Sequence, residues 1–143
     1  MLRVGNNNVI TFNIEEAKSY DGFTGPYLQY TVSRINSLLD KEEAKIGNQT
    51  EFIASINFLE KKLLIQLAEF PEIIIKSSQE FEPSSLAQYL FNLAKDFSSY
   101  YQTVPILNSA DELKVFRLAL VKAIRQVLIN GLKLLGIEAP KRM

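Results

Sequence analysis

The chain has 143 residues, the usual length of one domain with a single core, and its 16 basic and 16 acidic side chains cancel at pH 7. It contains neither Cys nor His, which excludes disulfides, thiolate or imidazole metal sites and the commonest general base near neutral pH. No apolar run reaches the length of about eighteen residues that a membrane span needs, and the amino terminus has no apolar core of signal-peptide length, so we predict no membrane contact and a cytoplasmic protein.

Residues 1–20 are too few to form a domain of their own. Residues 9–12 alternate between apolar and polar side chains, which is typical of a short strand, and residues 15–18 favour one or two helical turns. We predict that this segment is a linker, or the edge of another unit.

The first long helix is predicted to follow a loop of two Gly and one Pro at residues 21–26. Thr24 is the expected N-cap, with Pro26 in the first helical turn. Apolar side chains then keep helical spacing to about residue 45, and the Gly and Asn at residues 47–48 are expected to end the helix.

Three further helical patterns follow. Residues 52–70 carry an apolar stripe, and Pro71 is expected to break or bend that helix and to open a short one ending near residue 79. Pro83 starts the next pattern, which keeps a 3.6-residue rhythm through Tyr101 and stops at residues 104–105.

The last helix is predicted to start at Ser109, where Ser109 and Glu112 fit a capping box. Gly136 is the expected residue after its end. This helix of about 25 residues is apolar over most of its circumference, so we expect it to be central. The fold class predicted from these patterns is all-α, an antiparallel bundle of four to five helices over residues 21–143.

Groups that could perform catalysis are hard to find. Residues 22–25 lack the Lys and Ser or Thr that end a phosphate-binding loop, and the acidic pairs at 15–16 and 42–43 are adjacent, so each pair diverges on a helix. We therefore predict no catalytic residue, no metal site and no cofactor in this chain.

Aromatic side chains offer a binding surface instead. Tyr27 and Tyr30 lie one helical turn apart, and Arg34 follows Tyr30 by four residues, which brings two phenols and a guanidinium close to one face. They could stack on unpaired bases, or they could be two core tyrosines beside a surface arginine. The residues alone leave both interpretations open, and the zero net charge gives no indication of nucleic acid.

One segment resembles a known family. Residues 22–35, Gly-Phe-Thr-Gly-Pro-Tyr-Leu-Gln-Tyr-Thr-Val-Ser-Arg-Ile, are similar to the segment of arginyl-tRNA synthetases where the catalytic domain passes into the C-terminal helical domain, known as the DALR anticodon-binding domain. Similar segments follow in the expected order, and the resemblance covers about residues 10–143. Phe23 and Val32 depart from the family pattern, which commonly has Asp or Asn at the first position and often His at the second. The further matching segments are residues 86–94, 97–101, 117–121, 127–132, 134–137 and 139–143.

The resemblance implies the all-helical anticodon-binding domain of a class I synthetase, with the anticodon stem-loop of tRNA-Arg as its partner. The implied tRNA-binding residues come from the first helix, the middle helix and the carboxyl end. Stacking and apolar enclosure are implied for Tyr30, Tyr101 and Met143, and a contact to phosphate or a base edge for Arg34. The full implied set is Tyr27, Tyr30, Arg34, Tyr101, Arg142 and Met143.

The resemblance also implies that the ligase chemistry lies elsewhere. The synthetases bind ATP through a His-containing motif and a Lys-Met-Ser-Lys-like loop, and this chain has neither. ATP and Mg would then belong to the full-length enzyme, residues 1–20 would be the edge of its missing catalytic domain, and the chain would be inactive alone. Two alternatives remain open: a stand-alone helical protein-interaction module, which the zero net charge favours, or the related domain of a cysteinyl enzyme.

Overall fold

The computed structural model describes residues 14–15, 22–40 and 56–143. No strand occurs within these ranges, and the helices there confirm the predicted all-α bundle. The predicted strand at residues 9–12 and the predicted helical continuation at residues 41–45 lie outside them. Four long helices are described, α1 (Gly25–Leu39), α2 (Phe58–Gln79), α3 (Pro83–Thr103) and α4 (Asp111–Leu134).

Helices α2 and α3 run antiparallel, since early residues of α2 meet late residues of α3. The Tyr100 hydroxyl donates to the Glu60 carboxylate at 3.3 Å, whereas the Tyr89 hydroxyl donates to the backbone carbonyl of Gln66 at 2.7 Å. The turn between the two helices is short, and Phe81 takes a left-handed conformation there, with φ of 52°. That reversal brings the apolar faces of the two helices together.

Helix α4 is central, as its composition predicts, and packs against each of the other three helices. At Gly131 an added Cβ would lie 2.4 Å from the Leu90 side chain on α3. A larger side chain at this position would therefore force Leu90 to move. The residues of α4 that are fully buried in the core are Val121, Ile124, Leu128 and Leu132.

Pro71 does not end α2, so the prediction of a break and a separate short helix is wrong. The helix continues from Phe58 to Gln79 with Pro71 inside it, on the exposed side. A proline inside a helix removes one hydrogen bond and costs about 3 kcal/mol. Burial on both sides of it, by Leu63 and Phe70 before and by Ser77 after, holds the two halves in line.

Helix α2 also starts later than its hydrophobicity predicts. Residues 56–57 are not helical, and the helix begins at Phe58. Asn57 and Glu60 form the capping box: Asn57 Oδ1 accepts from the Glu60 N–H at 2.9 Å, and Glu60 Oε2 accepts from the Asn57 N–H at 2.8 Å. The predicted start at residue 52 follows the apolar stripe alone and overlooks this pair.

The predicted capping box at the start of α4 is wrong. Ala110 is the N-cap and makes no side-chain cap. The Ser109 hydroxyl donates instead to the carbonyl of Ile106 at 2.9 Å, which stabilises the turn before the helix. Asp111 and Glu112 still favour the helix start through the positive end of its dipole.

Two other predicted helix ends are confirmed. Thr24 Oγ1 accepts from the Tyr27 N–H at 3.2 Å and caps α1. Gly136 follows α4 with φ of 71°, and the N–H of Ile137 bonds to the Leu132 carbonyl at 2.9 Å, as in a Schellman motif. This turn sends residues 137–143 back toward α1. None of the described helices is both long and apolar enough to cross a membrane.

Candidate nucleic-acid interface

Arg34 and Tyr101 meet at the contact between α1 and α3. The guanidinium carbon of Arg34 lies 4.2 Å from the centroid of the Tyr101 ring, a cation–π distance. The Tyr101 ring also packs against buried Phe97, with centroids 6.0 Å apart. The pair therefore combines a charged group that can donate hydrogen bonds with an aromatic ring anchored to the core.

The two tyrosines of α1 have different surroundings. Tyr30 is 45% exposed, one turn before Arg34. Tyr27 is half-buried: its hydroxyl lies 3.2 Å from Ser98 Oγ and its ring centroid lies 5.5 Å from that of Phe91. The sequence left open whether these tyrosines belong to the core or to a binding surface. Tyr27 packs against the core, whereas Tyr30 lies on the surface.

The two departures from the family pattern are both apolar contacts. The Phe23 ring lies 4.8 Å from the Phe91 ring, and so extends the aromatic packing that holds Tyr27. Val32 is fully buried in the core. Phe23 contributes to the aromatic packing around Tyr27, and Val32 contributes to the core, which explains why an apolar residue is accommodated at each position.

Residues 138–141 lie along α1. Gln29 Nε2 donates to the Glu138 carbonyl at 2.7 Å. Asn36 Nδ2 donates to the Lys141 carbonyl at 3.1 Å. Between them, the Ser33 hydroxyl donates to the carbonyl of Pro140 at 3.2 Å. The tail is thus fixed by three side chains of one helix.

The last two residues stand at the exposed end of this tail. Arg142 pairs with Asp40 at 3.6 Å, and both side chains are largely exposed. Such a surface pair contributes little to stability. Met143 is 55% exposed. Arg142 thereby lies at the carboxyl end of α1, the helix that also carries Tyr30 and Arg34.

The zero net charge hides an uneven distribution. In α4 the acidic residues are confined to the first turn, and the five charged residues that follow are all basic. Lys122, Arg125 and Lys133 fall on one side of α4, and Arg125 reaches α1, where its guanidinium donates to Asn36 Oδ1 at 3.3 Å. The side of α4 that carries these three residues is therefore positive.

The six predicted residues are distributed over one region made by α1, α3 and the tail. The structure joins Arg34 to Tyr101 directly, and ties Arg142 to the end of α1 through Asp40. Sequence analysis missed Gln29, Ser33 and Asn36. The sequence does indicate them, because these three hydrogen-bonding side chains are spaced by four and three residues and so share one helix face.

These features define an all-helical binding domain with an aromatic and basic edge. A family model described as "DALR anticodon binding domain" matches residues 28–143. The chain belongs to this family.

Individual relatives agree with the family match. The chain is 37% identical to the arginine–tRNA ligase of Alkaliphilus metalliredigens over 98% of its own length and 25% of the relative's. It is 42% identical to that of Lactobacillus acidophilus, over 92% of its length and 24% of the relative's. The chain thus spans about a quarter of the relatives it matches. These relatives favour the arginine enzymes over the cysteinyl alternative and over an unrelated interaction module.

Solved structures show the same fold. The Thermus thermophilus arginyl-tRNA synthetase superimposes with a TM-score of 0.83 and 35% identity, over 92% of this chain and 23% of that one. The Plasmodium falciparum enzyme gives a TM-score of 0.86 at 24% identity, over 99% and 25% of the two chains. The second match concerns the fold alone. The resemblance found in the sequence is confirmed.

Proposed function

We propose that this chain binds the anticodon stem-loop of tRNA-Arg. Within a full-length ligase it would support ATP-dependent attachment of arginine to that tRNA. The observation that carries the proposal is the Arg34 guanidinium held 4.2 Å above the Tyr101 ring, one helical turn from exposed Tyr30. Unpaired RNA bases are recognised by aromatic and guanidinium planes of this kind.

Each predicted residue has a distinct role in this proposal. Tyr30 and Tyr101 stack on bases of the loop, and Arg34 donates to a phosphate or a base edge. Met143 encloses a base from the tail side, and Arg142 meets the backbone. Tyr27 acts indirectly: its bond to Ser98 and its contact with Phe91 fix the start of α1.

The stem is bound by charge. Lys122, Arg125 and Lys133 form a positive side on α4, and Lys141 and Arg142 extend it along the tail. Phosphate contacts of this sort position an RNA without reading its sequence. The aromatic edge then reads the loop while the basic side holds the stem.

The chemistry belongs to a catalytic domain in the longer polypeptide, which would bind ATP and Mg. The chain alone should bind tRNA-Arg without charging it with arginine. An aminoacylation assay with the isolated chain checks this. Any arginine attached to the tRNA above background would refute the proposal that catalysis requires the separate catalytic domain.

The binding proposal is tested by replacing Tyr30. With a tRNA-Arg transcript at fixed salt, Tyr30→Ala should weaken binding by about 1–3 kcal/mol, because a stacking surface is removed. Tyr30→Phe keeps the ring and should retain most of the affinity. Phe58→Ala is the matched control, since Phe58 is an exposed aromatic on α2. Equal effects of Tyr30→Ala and Phe58→Ala, or none from either, would reject a stacking site on α1.

A further inference from the structure

The tail that follows α4 is held from two directions. Ile137 and Ala139 are partly buried against the core. The backbone carbonyls of Glu138, Pro140 and Lys141 accept hydrogen bonds from side chains of α1. Apolar side chains thus anchor the tail inward, while its carbonyls are bound along the helix.

The three donors lie on one face of α1. Gln29, Ser33 and Asn36 are separated by four and three residues, and successive residues turn by about 100° in a helix. Tyr30 and Arg34 follow Gln29 and Ser33 by one residue each, so they occupy the adjacent sector. The tail therefore runs beside the aromatic and basic edge and parallel to it.

Asn36 connects three segments. Its Nδ2 donates to the Lys141 carbonyl and its Oδ1 accepts from the Arg125 guanidinium of α4, so both ends of the amide are used. The Arg125 Nε is buried and has no hydrogen-bond partner among the described residues. The Asn36 Oδ1 is therefore an acceptor that orients this guanidinium through another of its nitrogens. The link fixes the tail relative to α1 and to the basic side of α4 together.

We infer that Gln29, Ser33 and Asn36 are positioning residues for RNA binding. They hold the tail in its bound conformation, so that Arg142 is fixed beside Asp40 at the carboxyl end of α1, the helix that carries Tyr30 and Arg34, and Met143 follows it. A loose tail would lose conformational entropy on each binding event, and this loss would lower the affinity for RNA. This inference rests on the proposed function and adds residues that do not themselves touch the RNA.

The first test combines Gln29→Ala, Ser33→Ala and Asn36→Ala in the 143-residue chain. The triple variant should bind a tRNA-Arg transcript roughly ten-fold more weakly than the wild type, which corresponds to about 1.4 kcal/mol. Ser37→Ala is the matched control, because the Ser37 hydroxyl donates only to the Ser33 carbonyl of its own helix. Ser33→Ala should weaken binding more than Ser37→Ala does; equal effects would overturn the inference.

A truncation separates positioning from other effects. In a chain ending at Ile137, the triple substitution should cause no additional loss of affinity, since there is no tail left to hold. The same ten-fold loss in the truncated chain would show that the substitutions act through α1 itself, and would overturn the inference. Thermal melts followed by circular dichroism identify any variant that fails to fold.

The mobility of the tail can also be measured without RNA. The ¹⁵N heteronuclear NOEs of residues 138–143 should be high in the wild type and low in the triple variant. A tail that is mobile in the wild type, or rigid in the triple variant, contradicts the inference. A wild-type chain with a rigid tail that binds no tRNA-Arg refutes the proposed function instead, so the two failures are distinguishable.

Discussion

Tyr89 and Tyr100 are buried tyrosines whose hydroxyls have defined acceptors. Tyr89 donates to the Gln66 carbonyl, and burial, reinforced by the charge of Glu69, raises its pKa from 10 to about 12. Burial also raises the pKa of Tyr100, and the neighbouring Glu60 carboxylate raises it further. Both hydroxyls are therefore held in the protonated form by the fold.

These shifts predict a loss of stability in alkali. A pKa raised in the folded state stabilises the fold fully below the unfolded value near 10, and the contribution disappears as the pH rises through the folded value. The free energy of unfolding should fall by roughly 2 kcal/mol between pH 10 and 12 on account of Tyr89 alone. Urea unfolding at a series of pH values measures it. Tyr89→Phe should make this decline shallower, and an unchanged decline would contradict the assignment to Tyr89.

At the scale of the element, one ion pair ties the start of α2 to α3 and α4. Arg117 Nε lies 2.8 Å from Glu60 Oε1; the Glu60 side chain is fully buried and that of Arg117 is 11% exposed. The Arg117 guanidinium also donates to the Pro105 carbonyl at 3.2 Å, after the end of α3. Glu60 also completes the capping box of α2. The same carboxylate therefore stabilises the start of this helix and joins it to Arg117 on α4.

Glu60→Ala should therefore destabilise the bundle strongly. It leaves the Arg117 charge buried without its partner, which costs about 3–5 kcal/mol in comparable sites. Lys62→Ala is the matched control on the same helix, because Lys62 pairs with Asp96 at 2.7 Å but is 46% exposed. Lys62→Ala should lower the free energy of unfolding by less than about 1 kcal/mol. Urea unfolding of both variants measures the contrast, and similar effects would show that burial does not decide the strength of these pairs.

At the scale of the whole molecule, the distribution of charge matters more than its sum. The net charge is zero, yet every charged residue of α4 beyond its first turn is basic. In the proposed complex the phosphates of the tRNA stem contact this basic side. Binding of tRNA-Arg by this chain should consequently weaken as salt rises, although composition gives no indication of it.

Charge reversal tests this distribution. Lys122→Glu combined with Lys133→Glu should weaken tRNA-Arg binding and reduce the slope of log affinity against log salt by roughly 0.7–0.9 for each phosphate that the protein no longer neutralises. Lys61→Glu combined with Lys76→Glu is the matched control, since both are exposed lysines on α2 and the net charge changes by the same amount. Filter binding between low and physiological salt gives the slopes. An equal change from this control would mean that overall charge, and not the basic side of α4, governs binding.

The sequence alone determined the helices and the family. Periodicity set by a 3.6-residue turn predicted the bundle, and the central position of α4 followed from apolar residues around its circumference. Local capping chemistry predicted the ends at Thr24 and Gly136, because those signals act within a few residues. Local preferences gave wrong predictions at two positions. At Pro71, packing keeps the helix continuous, and at Ser109, the hydroxyl bonds within the preceding turn instead of capping the helix.

The assembly of the candidate site depends on contacts between helices that are distant in sequence. Tyr27 and Tyr30 have the same side chain and lie three residues apart, yet one is anchored by Phe91 and Ser98 and the other is exposed. Arg34 meets Tyr101 across 67 residues of sequence, and the tail meets α1 across more than 100. Helical periodicity indicates which residues share a face of one helix. Which faces meet depends on how the whole core packs, and that information is not local to any segment.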